Sequence, residues 1–278
     1  MLKTILASFI RRISKSFGFE YFMFRTLSDL NPDESELLSV IEQHLPNGSS
    51  ENSYYVDIGA SDGTSWSNTY ALLSKGWSGL AVECDTEKFA ILAARYLDFD
   101  HVQLAKCKVT PDNIVSLLMA NSVPRDFAFL SLDIDGYDYF VLEQLLSSYR
   151  PRLICAEINE KIPPPIKFTV KYDPAHVWSA NHFYGQSLAQ LNCLAEKHEY
   201  SLVDLHYNNA LLAPSELCFK ALSPEEAYRS GYQHKVDRRE RFPWNADMED
   251  VLKMTPDQAM QFLIEYFKEY ENRFEISL

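Results

Sequence analysis

Short apolar runs alternate with longer amphipathic stretches through the middle of the chain, and this alternation predicts the architecture. Strand-length runs fall at 54–58, 79–83, 102–105, 127–132 and 153–157, rich in Val, Ile, Leu, Phe and Tyr. Between them, 64–75, 86–97, 112–119 and 139–148 read as helices. Strands separated by helix-length segments imply βαβ crossovers and a mostly parallel sheet. Several of the strands are continuously apolar, as expected where helices cover both faces of a sheet. A helix at 187–197, a strand at 200–205, a turn at Asn208-Asn209 and a strand at 210–213 then close the sheet with a hairpin.

Outside this block the pattern changes. Residues 31–44 read as a capped amphipathic helix and 46–53 as a loop of turn formers. The connection 160–184 is long, stiffened by Pro163, Pro164, Pro165 and Pro174, and ends in Trp178, His182, Phe183 and Tyr184. A connection of that kind at the carboxyl end of a strand points to function. An amphipathic helix is expected at 256–270. The predicted division is a helical extension (1–50), an α/β domain (51–220) and a second helical extension (221–278).

Composition narrows the choices. At 278 residues and 46% hydrophobic content the chain can bury one large core. A net charge of −13, from 26 basic and 39 acidic residues, excludes duplex nucleic acid as the main partner. Five dispersed cysteines without a C-x-x-C pair point to reduced thiols and a cytoplasmic setting, not to disulfides or zinc. In residues 1–17, Leu2, Ile5, Leu6, Phe9, Ile10, Ile13 and Phe17 recur at helical spacing, while Arg11 and Arg12 interrupt any spanning run. Such a helix packs on its own domain or on a second copy in a homodimer; the alternative is peripheral contact with an anionic membrane.

The chemistry concentrates in Tyr54-Tyr-Val-Asp-Ile-Gly-Ala-Ser-Asp-Gly63, an apolar run that meets Asp57 and breaks into a loop with glycines at 59 and 63. A dinucleotide fingerprint needs a third, middle glycine where the pyrophosphate approaches the backbone. Its absence and the acid at Asp62 disfavour a nicotinamide-dependent oxidoreductase. Asp57, Glu83, Asp133 and Glu157 each close a predicted strand, so the ligand end of the sheet is rimmed with acids. Glu83 stands where a carboxylate would accept both hydroxyls of a ribose.

Val56–Gly63, Ser67-Asn-Thr69 and Gly76-Trp-Ser-Gly-Leu-Ala-Val-Glu83 together resemble the cofactor-binding half of class I S-adenosylmethionine-dependent methyltransferases, specifically the FkbM-like group. Leu130-Ser-Leu-Asp-Ile-Asp-Gly-Tyr-Asp138, Ala156-Glu-Ile-Asn159 and Tyr184-Gly-Gln-Ser-Leu188 are similar to that group's later segments. The resemblance spans about residues 50–215. It implies a Rossmann-like, mostly parallel sheet whose last strand is antiparallel, and methyl transfer to a hydroxyl of a sugar or small secondary metabolite. It also implies that Asp57, Gly59 and Gly63 shape the methionine pocket and that Glu83 binds the ribose. Ser61, Asp62, Asn68, Cys84 and Asp133 complete the expected cofactor-binding set. The polar pair Ser61-Asp62 departs from the group's pattern.

An acid rim suits a cationic sulfonium, and in-line displacement draws much of its rate from alignment. A hydroxyl acceptor also needs activation. One route is a histidine base, with His182 or His176 as candidates. The other is magnesium held by Asp133, Asp135, Glu157 and Asn159 at two adjacent strand ends. The alternative for Asp133 and Asp135 is that they shape the Asp-Ile-Asp-Gly turn without metal. A non-catalytic binding module on the same fold is the remaining rival.

Overall fold

The computed structural model describes residues 32–45 and 53–278. The segment 1–17 and most of the loop 46–53 fall outside those residues, so the readings made for them stay expectations.

Strands β1 (Tyr54–Ile58), β2 (Ser78–Glu83), β3 (Val102–Lys106), β4 (Phe129–Leu132), β5 (Leu153–Glu157), β7 (Tyr200–His206) and β8 (Asn209–Pro214) form one sheet in the order β3-β2-β1-β4-β5-β8-β7. Neighbours among the first five are parallel, whereas β8 runs antiparallel to both β5 and β7. The expected Rossmann-like sheet with a reversed last strand is therefore present, and the reversed strand sits inside the sheet, one place from its edge.

Helices cover both faces because the strand residues alternate in direction. Val56, Ile58, Leu80, Val82, Leu130 and Leu132 point to a core shared with α4 (Ile114–Ala120), α5 (Asp138–Leu146) and α6 (Leu188–Lys197). Tyr55, Ala81, Phe129, Leu153 and Cys155 point the other way, to α1 (Pro32–His44), α2 (Tyr70–Ser74) and α3 (Thr86–Arg95). Phe129 and Leu153 are fully buried, and burial of each such side chain stabilises the fold by about 1.5–3 kcal/mol.

The first crossover differs from its sequence expectation. A helix from residue 64 is replaced by turns up to Thr69, and α2 begins only at Tyr70. Side chains there capture the backbone: Asp62 accepts from the N–H groups of Thr64 and Ser65 at 2.9 and 2.7 Å, and Ser67 Oγ from those of Thr69 and Tyr70 at 3.2 and 3.0 Å. Such local bonds compete with helix, and Trp66 at φ +58° confirms that helical geometry is left behind.

The connection 160–184 also holds more order than its prolines suggest. It contains β6 (Lys167–Val170), which pairs antiparallel with β9 (Phe274–Ser277) at the C-terminus. Between β8 and β9 lie α7 (Pro224–Tyr228), α8 (Arg238–Arg241), a long 3₁₀ segment (Pro243–Lys253) and α9 (Pro256–Tyr266). A third core of Phe168, Phe183, Leu263 and Phe267, with Phe274 against it, binds the connection to the C-terminal segment. Phe183 and Tyr270 stack with centroids 4.0 Å apart. Both elements are thereby carried to the ligand end of the sheet.

Candidate active site

A cavity of about 710 Å³ opens at the carboxyl ends of β1 to β4, lined by Asp57, Gly59, Ser61, Glu83, Cys84 and Asp133 among others. A second cavity of about 360 Å³ adjoins it. Trp66, Asn68, Asp133, Asp135 and Trp178 line both.

Glu83 is the most firmly placed of the expected cofactor residues. It is 6% exposed, and its two carboxylate oxygens accept from the N–H groups of Ser61 at 2.8 Å and Asp85 at 2.7 Å. Each oxygen keeps a second lone pair for a ligand hydroxyl. Asp85 in turn caps α3 by accepting from the N–H groups of Glu87 and Lys88. Asp57 is buried beneath the loop and accepts from Thr69 Oγ1 at 2.6 Å; burial lifts its carboxyl to about 6 against the hydrogen bonds from Thr69 and Ser131. Cys84 stands on the cleft wall with its thiol pushed up by partial burial and then by the Glu83 charge.

Asp62 and Gly63 are placed differently from the other loop residues and are not among those lining the cleft. Asp62 spends its carboxylate on the loop itself and on Arg95, 2.7 Å away. Burial raises its pKa, but the bonds from Ser65, Thr64 and Arg95 outweigh this and hold it well below the usual range. The acid that set this loop apart in the sequence is thus a strut for the turn. Gly63 serves packing, since a Cβ there would meet Leu92 and Tyr96 at 2.5 and 2.7 Å.

Asp133 and Asp135, which line both cavities, and Glu157, which lines neither, each bring a carboxylate oxygen within 4.8 Å of the others. The N–H groups of Ile134 and Gly136 are taken by the buried carboxylate of Asp138, both at 2.9 Å. Asp138 therefore holds the Asp-Ile-Asp-Gly turn, which leaves the side chains of Asp133 and Asp135 for the cavities. Burial, then the Asp135 and Asp138 charges, push Asp133 up to about 8; burial and Asp138 lift Asp135 to about 6. Glu157 is raised well above the carboxylate range by burial and by Asp133. Its Oε1 accepts from Asn208 Nδ2 at 2.9 Å, while Oε2 is buried without a partner among the described residues. Three clustered oxygens and an orphaned buried acceptor form a donor set suited to a hard divalent cation.

Asn159 joins this neighbourhood less directly. Its amide nitrogen donates to the carbonyls of His182 and Tyr184 at 2.9 and 3.0 Å, and its buried Oδ1 has no partner among the described residues. The two candidate histidines separate. His176 lines the larger cavity, its Nε2 3.3 Å from the Asp135 carbonyl oxygen, with burial lowering its pKa. His182 lies outside the lining of both cavities and faces Asp247, with Nε2 3.1 Å from Oδ1; Tyr266 donates to the other oxygen at 2.9 Å. Its pKa is lowered by burial and by Lys161 despite Asp247.

Several residues of the site carried no sequence signal. Asn208 and Asn209 read as a simple turn, yet Asn208 holds Glu157 and Asn209 Oδ1 accepts from Asn68 at 3.3 Å. The pairing of Glu157 with Asn209 across β5 and β8 creates that meeting. Lys108, two residues beyond β3, donates to the carbonyls of Pro174 and His176 at 2.7 and 3.0 Å and so straps the connection over the cleft. Directly behind the acids lies a buried ion pair, Lys161 with Glu160 at 3.1 Å, completed by the Tyr184 hydroxyl 2.7 Å from Lys161 and 2.9 Å from Glu160.

No family model matches the chain, and no curated protein matches it. Among solved structures it is similar to the N-terminal domain of EvdMO1, crystallised with SAH and D-fucose, at 13% identity and a TM-score of 0.45 over 75% of this chain and 96% of that one. It is also similar to magnesium protoporphyrin IX methyltransferase from Synechocystis PCC 6803 with bound SAM (12%, TM-score 0.42, 73% and 86% covered). A third is CalS10, an amino pentose methyltransferase from Micromonospora echinaspora (7%, TM-score 0.42, 70% and 99% covered). Likeness at this level carries no argument about ligand or reaction, which rest on the site itself.

Proposed function

We propose that the chain is an S-adenosylmethionine-dependent methyltransferase that methylates a hydroxyl of a small acceptor, a sugar or secondary metabolite. One observation carries the reading: a carboxylate locked at the end of β2 and the Gly59–Ser61 loop at the end of β1 face one cleft, which opens directly onto a second cavity across Asp133 and Asp135. A donor site joined to an acceptor site by a shared polar wall is the arrangement that in-line transfer requires.

When bound, S-adenosylmethionine supplies an electrophilic methyl on a cationic sulfur. Glu83 would accept hydrogen bonds from the ribose hydroxyls with the lone pairs its backbone partners leave over. Asp57 and the backbone of Gly59 to Ser61 would receive the methionine portion, while the acid rim favours the positive sulfur and opposes a diphosphate. Trp178 and Trp66, on the wall between the cavities, would exclude water from the line of transfer.

Asp135 is the proposed base. It lines both cavities, and with its pKa near 6 it is ionised at neutral pH yet able to hold a proton. Asp133, at about 8, keeps its proton under the same conditions. His182 would act through Asp247 and the C-terminal wall, not on the acceptor. If magnesium is used, Asp133, Asp135 and Glu157 would hold it, with the Asn159 oxygen as a further donor, and it would lower the pKa of the acceptor hydroxyl as a Lewis acid.

Titration calorimetry with S-adenosylhomocysteine tests the reading. Micromolar or tighter binding that is lost in Glu83→Ala supports it. Absence of binding, together with binding of NADH, would move the chain to the oxidoreductase class.

A further inference from the structure

The second cavity has a chemistry of its own. Three of the chain's four tryptophans line it, Trp66, Trp178 and Trp244, at 69%, 41% and 59% exposure. Single exposed aromatics are ordinary, but three gathered from distant segments round one hollow mark a binding surface. Trp66 comes from the β1–α2 turn, Trp178 from the strapped connection and Trp244 from the C-terminal 3₁₀ segment. Trp178 is held in place by its Nε1, which donates to the Asn181 carbonyl at 2.8 Å.

The polar part of the lining is mostly amides and acids, Asn68, Asn208 and Asn209 beside Asp133 and Asp135, with Tyr207, His206 and Arg241 completing it. Aromatic faces receive the apolar face of a ring, and planar amides and carboxylates bond to its hydroxyls. Among the described residues, positive charge is scarce there. Arg241 lies over the Tyr207 ring at 3.9 Å and pairs with Asp237 at 3.1 Å, so its charge is already offset. His206 is buried, which lowers its pKa. Even with a divalent ion in place, three carboxylates outnumber its two charges.

Building on the methyltransferase reading, we propose that this cavity is the acceptor site for an uncharged polyhydroxylated ring and that it rejects the phosphorylated or carboxylated forms of the same ring. An acceptor that reaches it has already lost any diphosphate. The reaction that supplies it is therefore a glycosyl transfer or a dephosphorylation, not nucleotide activation.

The test follows S-adenosylhomocysteine release with the methyl glycosides of glucose, galactose and mannose, and with their uronic acids and 6-phosphates. At least one neutral glycoside is expected to be methylated, with kcat/KM at least about tenfold above its anionic counterparts. Trp244→Ala, at a wall of the second cavity only, should raise KM for that glycoside about tenfold and leave S-adenosylhomocysteine affinity unchanged, with Trp244→Phe restoring most of the loss. Equal or better turnover of the uronic acid or phosphate overturns the proposal. So does an unchanged KM in Trp244→Ala, or a protein that binds S-adenosylhomocysteine but methylates none of the glycosides. Failure to bind S-adenosylhomocysteine at all overturns the methyltransferase reading itself.

Discussion

A Cβ on Gly59 would lie 1.7 Å from the carbonyl oxygen of Asp133. The loop after β1 and the end of β4 therefore touch backbone to backbone, at the point where the cofactor cleft meets the acid cluster. The φ of +91° at Gly59 is closed to other residues as well. Gly59→Ala should lose at least about 1–3 kcal/mol from strain alone, and more from displacing Asp133. Urea denaturation should show the lower midpoint, and calorimetry at least a tenfold weaker S-adenosylhomocysteine affinity. Wild-type affinity in this variant would remove the loop from the cofactor site.

Glu83→Gln tests the ribose contact more gently. A glutamine keeps the shape but turns one acceptor into a donor facing a backbone N–H. Hydrogen bonds to a charged group contribute about 1.5–3 kcal/mol each, so affinity should fall roughly 10- to 150-fold. A loss below threefold would mean that the carboxylate only braces Ser61 and Asp85.

The acid cluster makes a prediction about pH. Asp133 and Asp135 have pKa values raised to about 8 and about 6. An acid raised on folding contributes stability at low pH that is lost as pH climbs through its folded pKa. The metal-free protein should therefore lose stability from this cluster as pH rises from the ordinary value of 3.8 to about 6 for Asp135 and to about 8 for Asp133. A cation must displace the same protons, so its benefit grows over that window. Thermal melts in EDTA and in magnesium chloride should differ more at the upper pH than at the lower. Identical melts at both would leave the carboxylates without a metal role.

The Glu160–Lys161 pair should matter for stability more than for binding. Removing one partner of a buried pair strands the other charge at a cost of about 3–5 kcal/mol, so Lys161→Met should be strongly destabilised and Glu160→Gln with Lys161→Met less so. Burial pushes the Glu160 carboxyl up, but Lys161, Asn245 and Tyr184 outweigh it and bring it below its ordinary 4.5. A depressed acid gives stability that is complete above its unfolded pKa and lost as pH falls through the folded one. Acid unfolding below about pH 4.5 should then be steeper in the wild type than in Glu160→Gln. Superimposable acid limbs would contradict the pairing.

Much of the fold was legible because it rests on local pattern. The limits of β1 and β5 coincide with their apolar runs, and the other strands of the main sheet fall within two residues of theirs. Strand β9 and its partner β6 went unseen. Each is only four residues long, so its polar–apolar alternation is too brief to stand out, and the partner that completes the pair lies about a hundred positions away.

The candidate site divides along the same line. The sequence determined which strands end in acids, since Asp57, Glu83, Asp133 and Glu157 close apolar runs, and parallel strands place their carboxyl ends together. It also determined that the loop at 59–63 needs glycines where the chain turns. Only the tertiary structure decided which polar groups remain free for a ligand. Asp62 is consumed by Arg95 and its own turn, Asp138 takes the turn that Asp133 and Asp135 flank, and His182 is drawn to Asp247. It also brought Asn208 to Glu157 and three tryptophans to one cavity. Partner choice among buried polar groups depends on distances that strand register and long connections set, and sequence spacing does not encode those distances.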